Sequence, residues 1–190
     1  MRTLTSSRAA LLLALALIAC NEAPHDDVLA PLSPTDDTEL ASSPVATLPA
    51  SADFNRSLVE LRRATAQYHD INAAIADGFV FLHACEQRPG EGAVGIVYVH
   101  PARLDGILDP SQPEALLYEP GNNGQLKLVG AELVIPLSVW TEENPPEFLG
   151  AQFQPEEEFG VFGLHVWIWR HNPNGMFAPG NPRVSCEIDS

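Results

Sequence analysis

The chain has 190 residues and carries 25 acidic against 10 basic side chains, which gives a formal net charge of −15 at pH 7. So acidic a chain is not suited to bind nucleic acid, or an anionic lipid surface, through charge. Its length suits one ordinary domain with additional terminal segments.

Residues 1–19 have the features of an export signal. Arg2 and Arg8 form a positive start, and the apolar run that follows, 9–19, is too short to span a bilayer. Residues 17–20, Leu-Ile-Ala-Cys, resemble the bacterial lipobox, in which the cysteine is lipidated and becomes the first residue of the mature protein. We therefore expect an exported lipoprotein of the cell envelope, tethered to membrane lipid through Cys20. The alternative is an ordinary cleaved signal next to an unrelated cysteine.

Residues 20–50 combine this cysteine with a linker. The segment 21–50 contains five prolines and six acidic residues but no lysine, arginine or aromatic residue, a composition typical of disorder. A single domain is then expected over 51–190. Removal of the signal removes two basic residues and no acidic one, so the net charge becomes −17.

One helix is predicted at the start of the domain. Apolar residues recur every three or four positions from Phe54 to Ile75, which is the spacing of one helix face. Ser51 or Asp53 can cap the start, and Gly78 is a natural stop after Asp77.

Beyond Gly78 the apolar pattern alternates, which indicates strands. Gly121-Asn122-Asn123-Gly124 between two of them predicts a hairpin. The predicted strands span 94–100, 115–119, 126–135 and 159–170. Residues 141–158 are expected to be an acidic loop, with Glu156, Glu157 and Glu158 on a solvated face. The predicted fold class is α+β, with one long N-terminal helix packed on a mainly antiparallel sheet of four to five strands.

Two cysteines remain once Cys20 is assigned to lipid. In an oxidising compartment, Cys85 and Cys186 are expected to form a disulfide, which would anchor the proline-rich end of the chain. The alternatives are a metal-binding pair or a reactive thiol.

Glycines at 90, 92 and 95 match the GxGxxG pattern of dinucleotide-binding proteins. That site needs a helix directly after the glycines, whereas here a strand is predicted. The pattern therefore indicates a loop that enters a strand.

The last predicted strand has two different faces. Leu164, Val166 and Ile168 suit a core. On the other face, His165, Trp167 and Trp169 combine an imidazole with two indoles, and we take them as candidate ligand-binding residues.

A metal site is the alternative use of these polar residues. Glu132 lies in an apolar strand, where a carboxylate needs a cation, hydrogen bonds or a proton. Histidine and glutamate from neighbouring strands can bind a divalent metal. The candidate metal ligands are His165, Glu132, His100, His69 and Glu119.

The block from His165 to Cys186 resembles the C-terminal signature of a family of exported bacterial proteins without an assigned activity. The resemblance covers about 60–186. It implies a shared fold and a bridge between Cys85 and Cys186, but no chemistry. The family often carries histidine where this chain has Val97, so a metal site built on that histidine would need His100 as a substitute. Further similar segments are 68–70, 77–78, 94–96, 98–99, 116–119 and 132–136.

Three functions follow as hypotheses. The first is a lipid-anchored module that binds a small or extended ligand on the sheet. The second is a metal-dependent enzyme with a divalent cofactor, whose catalytic residues are unknown. The third is a purely structural envelope lipoprotein. Convergence of the histidine and glutamate side chains in a concave site would separate the first two hypotheses.

Overall fold

The computed structural model describes residues 50–187, so the export signal, Cys20 and nearly all of the linker lie outside the described residues. Within this range, no helix is long and apolar enough to span a bilayer. The helices are α1 (Ala50–Thr65) and α2 (Ile71–Asp77), and the strands are β1 (Val80–Arg88), β2 (Gly92–Val99), β3 (Ala115–Pro120), β4 (Leu126–Pro136), β5 (Glu147–Phe148), β6 (Ala151–Gln152), β7 (Gln154–Glu156) and β8 (Val161–Val166).

The long N-terminal helix predicted from the sequence is broken in the structure. A 3₁₀ turn over Ala66–His69 separates α1 from α2. The Tyr118 hydroxyl donates to the Tyr68 carbonyl oxygen at 2.7 Å, and the Asp70 carboxylate accepts from the Asn72 amide at 2.9 Å. These polar contacts satisfy backbone groups that a continuous helix would pair internally. The helical spacing of apolar residues therefore runs on through the turn, although the α-helix itself is interrupted. Gly78 ends α2 in the left-handed conformation, as predicted.

The α+β class is confirmed, but the expected four to five strands are too few. Six strands form one curled sheet in the order β1-β2-β3-β4-β8-β7, with every neighbouring pair antiparallel. Strands β5 and β6 form a separate small hairpin. Strand β1 was not predicted because its pairing with β2 shifts register three times, which removes a regular alternation. The predicted hairpin joins β3 to β4.

The two faces of the sheet contact different parts of the chain. On one face, large buried side chains of the sheet pack with α1, the 3₁₀ turn and α2; they include Leu116, Tyr118, Leu133 and Leu164. On the other face, the buried side chains are mainly alanine and valine. The alternation within β4 separates them, because Leu133 faces the helices whereas Glu132 and Val134 face away.

The last strand ends at Val166 rather than at the predicted Arg170. The backbone bends there, because the Ile168 amide donates to the Val166 carbonyl and the Trp169 amide donates to the Val129 carbonyl. Beyond the bend, residues 171–187, which we call the C-terminal tail, return along the sheet face that points away from the helices. Asn181 of the tail exchanges both backbone hydrogen bonds with Ala93, and the predicted Cys85–Cys186 disulfide closes the tail onto β1.

Candidate functional site

A cavity of about 150 Å³ lies on the sheet face away from the helices. Strands β1 and β7 are the two edges of the sheet, and the sheet curls so that residues of both edges line the same space. His83 of β1 contacts Phe159 beside β7, with ring centroids 5.9 Å apart. Much of the cavity wall is aliphatic and small, formed by Val94, Val97, Val99, Leu104, Ala115, Val134 and Val161.

Two buried polar residues from neighbouring strands meet at this cavity. Glu132 of β4 and His165 of β8 are directly opposed in the antiparallel register. Their Oε1 and Nε2 atoms are 3.7 Å apart, and the side chains are only 6% and 5% exposed. Both residues are among the metal ligands predicted from the sequence, and the structure brings them together.

Glu156 is the third member of this group. It is half-buried on edge strand β7, and one ligand-type atom from each of Glu132, Glu156 and His165 lies within 4.8 Å of the other two. Gly163 of β8 makes room for both carboxylates. A Cβ atom there would overlap Glu132 Oε1 and would lie 3.2 Å from Glu156 Oε1. We call Glu132, Glu156 and His165 the acceptor cluster.

The C-terminal tail fixes the tautomer of His165. The Nδ1 atom lies 2.6 Å from the carbonyl oxygen of Pro179. Because a carbonyl can only accept, Nδ1 carries the proton and Nε2 presents its lone pair toward the two carboxylates. Trp167 is held in the same way, since its Nε1–H donates to the Ala178 carbonyl at 2.7 Å.

Burial determines the protonation of this cluster. It raises the pKa of Glu132 to about 7, and burial followed by the charge of Glu132 raises the pKa of Glu156. Desolvation is the largest influence on His165 and lowers its pKa, which favours the neutral imidazole. Among residues 50–187, no N–H or hydroxyl group forms a hydrogen bond with either carboxylate, so with His165 neutral a proton shared within the cluster must be carried by one of the two carboxyl groups.

Two residues of opposite charge also belong to the cavity lining. They are Arg88 and Glu86 of β1, with Arg88 Nε 3.7 Å from Glu86 Oε1. A second, more polar recess of about 370 Å³ adjoins it and shares His165 and Glu156 among its lining residues. The acceptor cluster therefore lies between an aliphatic chamber and a polar recess.

The two tryptophans predicted to bind ligand lie outside the lining of both spaces. Trp167 packs with the buried valines on the cavity side, under the C-terminal tail. Trp169 lies beyond the bend and packs against α1 instead, where its Nε1–H donates to Thr65 Oγ1 at 3.0 Å and Arg62 stacks on its ring. Of the three predicted ligand-binding residues, the structure places only His165 at the cavity.

The other three predicted metal ligands lie elsewhere. His69 contacts the Trp169 ring, with centroids 4.4 Å apart. His100 Nε2 is 2.9 Å from the Asp77 carbonyl oxygen, at the end of α2. Glu119 accepts from the Ser185 amide at 3.0 Å and lies 3.6 Å from Arg170. None of the three belongs to the acceptor cluster.

Sequence reasoning missed Glu156, which it assigned to a solvated acidic loop. Strand β7 has three residues and gives no alternating pattern over so short a length. The signal that could have found it is Gly160, whose φ of 67° marks the turn between β7 and β8. A hairpin at that glycine pairs Glu156 with Val161 and brings Gln154 opposite Gly163.

Comparison of the chain with protein-family models, with curated proteins and with solved structures finds no match.

Proposed function

We propose that this protein is a lipid-anchored, extracytoplasmic binding protein that holds a small ligand in the cavity beneath its curled sheet. The observation that carries the proposal is the cavity itself, whose aliphatic wall ends at the buried acceptor cluster. An apolar chamber with a few convergent polar groups is the usual form of a small-molecule site.

The size of the cavity and the polar groups of the acceptor cluster indicate the class of ligand. A space of about 150 Å³ accommodates a group of roughly the size of benzene. The cluster offers lone pairs from Glu132, Glu156 and His165 Nε2, so the head of the ligand must donate hydrogen bonds or carry positive charge. The proposed ligand is therefore a small molecule with an apolar body and an ammonium-type head. A carboxylate head would be repelled by the two glutamates.

Calorimetric titration of the chelator-treated protein with benzylamine and benzoate tests this ligand class. We expect saturable binding of benzylamine at one site and no binding of benzoate at the same concentrations. The variant Ala115→Leu places three further carbon atoms in the chamber and should weaken benzylamine binding by roughly tenfold or more, which is about 1.4 kcal/mol. Val97→Leu, on the next strand, provides a second filling variant if Ala115→Leu misfolds. Equal binding of benzoate, or benzylamine binding that neither filling variant weakens, would contradict the proposed ligand.

The cellular location is proposed from the N-terminal sequence. Residues 17–20 support lipidation of Cys20, and the acidic composition of the chain argues against nucleic acid as a partner. Membrane lipid would then be the anchor, with the domain on the outer side of the cytoplasmic membrane. In the native host, Cys20→Ser should abolish labelling with a radioactive fatty acid and leave the precursor unprocessed. Labelling that persists in the variant would refute the lipoprotein assignment.

A further inference from the structure

We propose that Glu132, Glu156 and His165 form a binding site for one divalent transition-metal ion, with Zn²⁺ as the reference ion. One imidazole nitrogen and two carboxylate oxygens are a donor set that first-row divalent metals accept. The ion would use the same three side chains as the ammonium head of the proposed ligand, so the two would compete for the acceptor cluster.

The spacing of the donor atoms is close to what an ion needs. Ligand atoms about 2.1 Å from a tetrahedral Zn²⁺ lie about 3.4 Å from one another. Glu132 Oε1 and His165 Nε2 are already 3.7 Å apart, and Glu156 lies within 4.8 Å of both. A shift of about 1 Å by Glu156 closes the site. That residue lies on a three-residue edge strand, which can move more easily than the central strands β4 and β8.

The surroundings of His165 match those of a metal-binding histidine. Such residues generally donate their second ring N–H to a carbonyl or carboxylate, which fixes the ring and directs the other nitrogen at the ion. The Pro179 carbonyl receives that hydrogen bond here at 2.6 Å. The C-terminal tail thereby aims Nε2 at the two carboxylates.

The burial of Glu132 is a second observation that points to a cation bound by the acceptor cluster. Its side chain is 94% buried, and no donor among residues 50–187 forms a hydrogen bond with its carboxylate. A buried carboxylate without donors is strongly disfavoured unless a proton or a cation compensates it. Glu114 shows the contrast, because its buried carboxylate accepts from the Val134 amide at 2.9 Å. The chain thus provides a hydrogen-bond donor for Glu114, whereas Glu132 faces two further lone pairs and has the charge of Arg88 in its neighbourhood but no hydrogen bond from it.

Gly163 preserves the space in which the ion would sit. A side chain at that position would overlap Glu132 Oε1 and would approach Glu156 Oε1. Gly163 does not adopt a positive φ, so backbone conformation does not require glycine here. Room for the two carboxylates is the remaining reason for a glycine in the middle of a buried strand pair.

Three protein ligands leave a further coordination position open. Structural Zn²⁺ sites are generally closed by four protein ligands, whereas three ligands with an open position are typical of sites that exchange water or a substrate. Here the open position would face the spaces lined by Glu156 and His165. We therefore expect an exchangeable site rather than a structural one, so that removal of the metal leaves the fold intact.

Titration of the chelator-treated, full mature protein with Zn²⁺, and with Co²⁺ as a spectroscopic probe, tests the site. We expect one ion per chain, with visible d–d absorption for Co²⁺. Glu132→Gln and Glu156→Gln should each weaken Zn²⁺ binding by roughly 100-fold or more, because each removes one of three ligands. Gly163→Ala should also weaken it, by filling the site. The matched control is Glu157→Gln, which removes an exposed acid next to Glu156 and should leave the affinity unchanged.

X-ray absorption spectroscopy of the Zn²⁺-loaded wild-type protein makes the test independent of whether the variants fold. The expected first shell contains one histidine nitrogen and otherwise oxygen atoms. Absence of one-to-one binding, a shell without histidine, or equal losses in Glu156→Gln and Glu157→Gln would overturn the metal site. The filling variant Val97→Leu separates the two proposals, because Val97 lines the chamber without pairing with a residue of the acceptor cluster; it should weaken benzylamine binding while leaving Zn²⁺ binding unchanged.

Discussion

The two faces of the sheet differ in how completely they are packed. One face contacts the helices, and the other lines the cavity. On the helix side, Leu116, Tyr118 and Leu133 are fully buried and fill the space beneath α1 and α2. On the cavity side, valines and alanines leave a space of about 150 Å³ and share it with the acceptor cluster. Packing alone explains the first face. The second combines free volume with buried charge, both of which reduce stability, and such a combination points to function.

The largest effect should come from the disulfide, which holds the C-terminal tail on the cavity side. In the chain-entropy model, a bridge across 101 residues contributes up to about 4.7 kcal/mol. The double variant Cys85→Ser/Cys186→Ser should lose a large part of that free energy of unfolding in urea titrations. Within residues 50–187, the helix side is held by packing without a disulfide. If reduction of the wild-type protein leaves its urea midpoint unchanged, the tail is held by its hydrogen bonds alone.

The next largest effect should be the pH dependence of stability that comes from Glu114, a buried carboxyl group that accepts a hydrogen bond from the chain itself. Burial raises the pKa of Glu114 to about 8, with a smaller raising influence from Asp105, while the Val134 amide and Arg103 lower it. The folded state therefore binds more protons than the unfolded state above pH 4.5, and stability falls as pH rises toward 8. The slope can reach about 1.4 kcal/mol per pH unit.

Glu114→Gln removes this titration while keeping an oxygen for the Val134 amide. The stability of the variant relative to wild type should rise between pH 5 and pH 8, measured as the difference in urea midpoints at each pH. Glu142→Gln, at an exposed acid, is the control and should show no such trend. A difference between Glu114→Gln and wild type that stays constant with pH would show that Glu114 is ionised in the folded protein.

Adding one carbon atom to a buried valine should change stability by a smaller amount, with opposite signs on the two faces of the sheet. Val166→Ile adds one carbon to the filled helix side and should cost about 1–3 kcal/mol through overpacking. Val134→Ile adds the same carbon toward the cavity and should stabilise the domain by up to about 0.8 kcal/mol. Thermal unfolding of both variants measures the pair. Destabilisation by both changes to the same degree would mean that the cavity side is as tightly packed as the helix side.

Local patterns predicted the fold well where turn residues or a regular alternation marked an element. The hairpin at Asn122–Gly124, the strand around Val94–Val99 and the stop at Gly78 all appear in the structure. The break between α1 and α2 depends on the Tyr118 hydroxyl, which comes from a strand fifty residues away. Such a contact leaves no trace in local periodicity. Short or irregular strands, such as β7 and β1, are missed for the same reason, since their pairing partners define them.

The candidate site was predicted in part. Glu132 and His165 attract notice because each is polar within an apolar run, and cross-strand pairing then places them opposite each other. Glu156 has no such context, because two exposed glutamates follow it and only the turn at Gly160 directs it inward. Trp169 was assigned to the wrong side of the sheet. Strict alternation places it beside His165, but the backbone bends after Val166 and turns its ring toward α1.

Anomalous diffraction from crystals of the mature protein grown with Zn²⁺ tests most directly whether the cavity side carries a site. Data collected on both sides of the Zn absorption edge locate the ion without reference to any expected ligand. We predict one peak per chain, between the Glu132 and Glu156 carboxylates and His165 Nε2, at about 2.0–2.2 Å from each. Zn²⁺ found only at exposed acidic residues such as Glu157 and Glu158, with no peak at the acceptor cluster, would contradict that prediction.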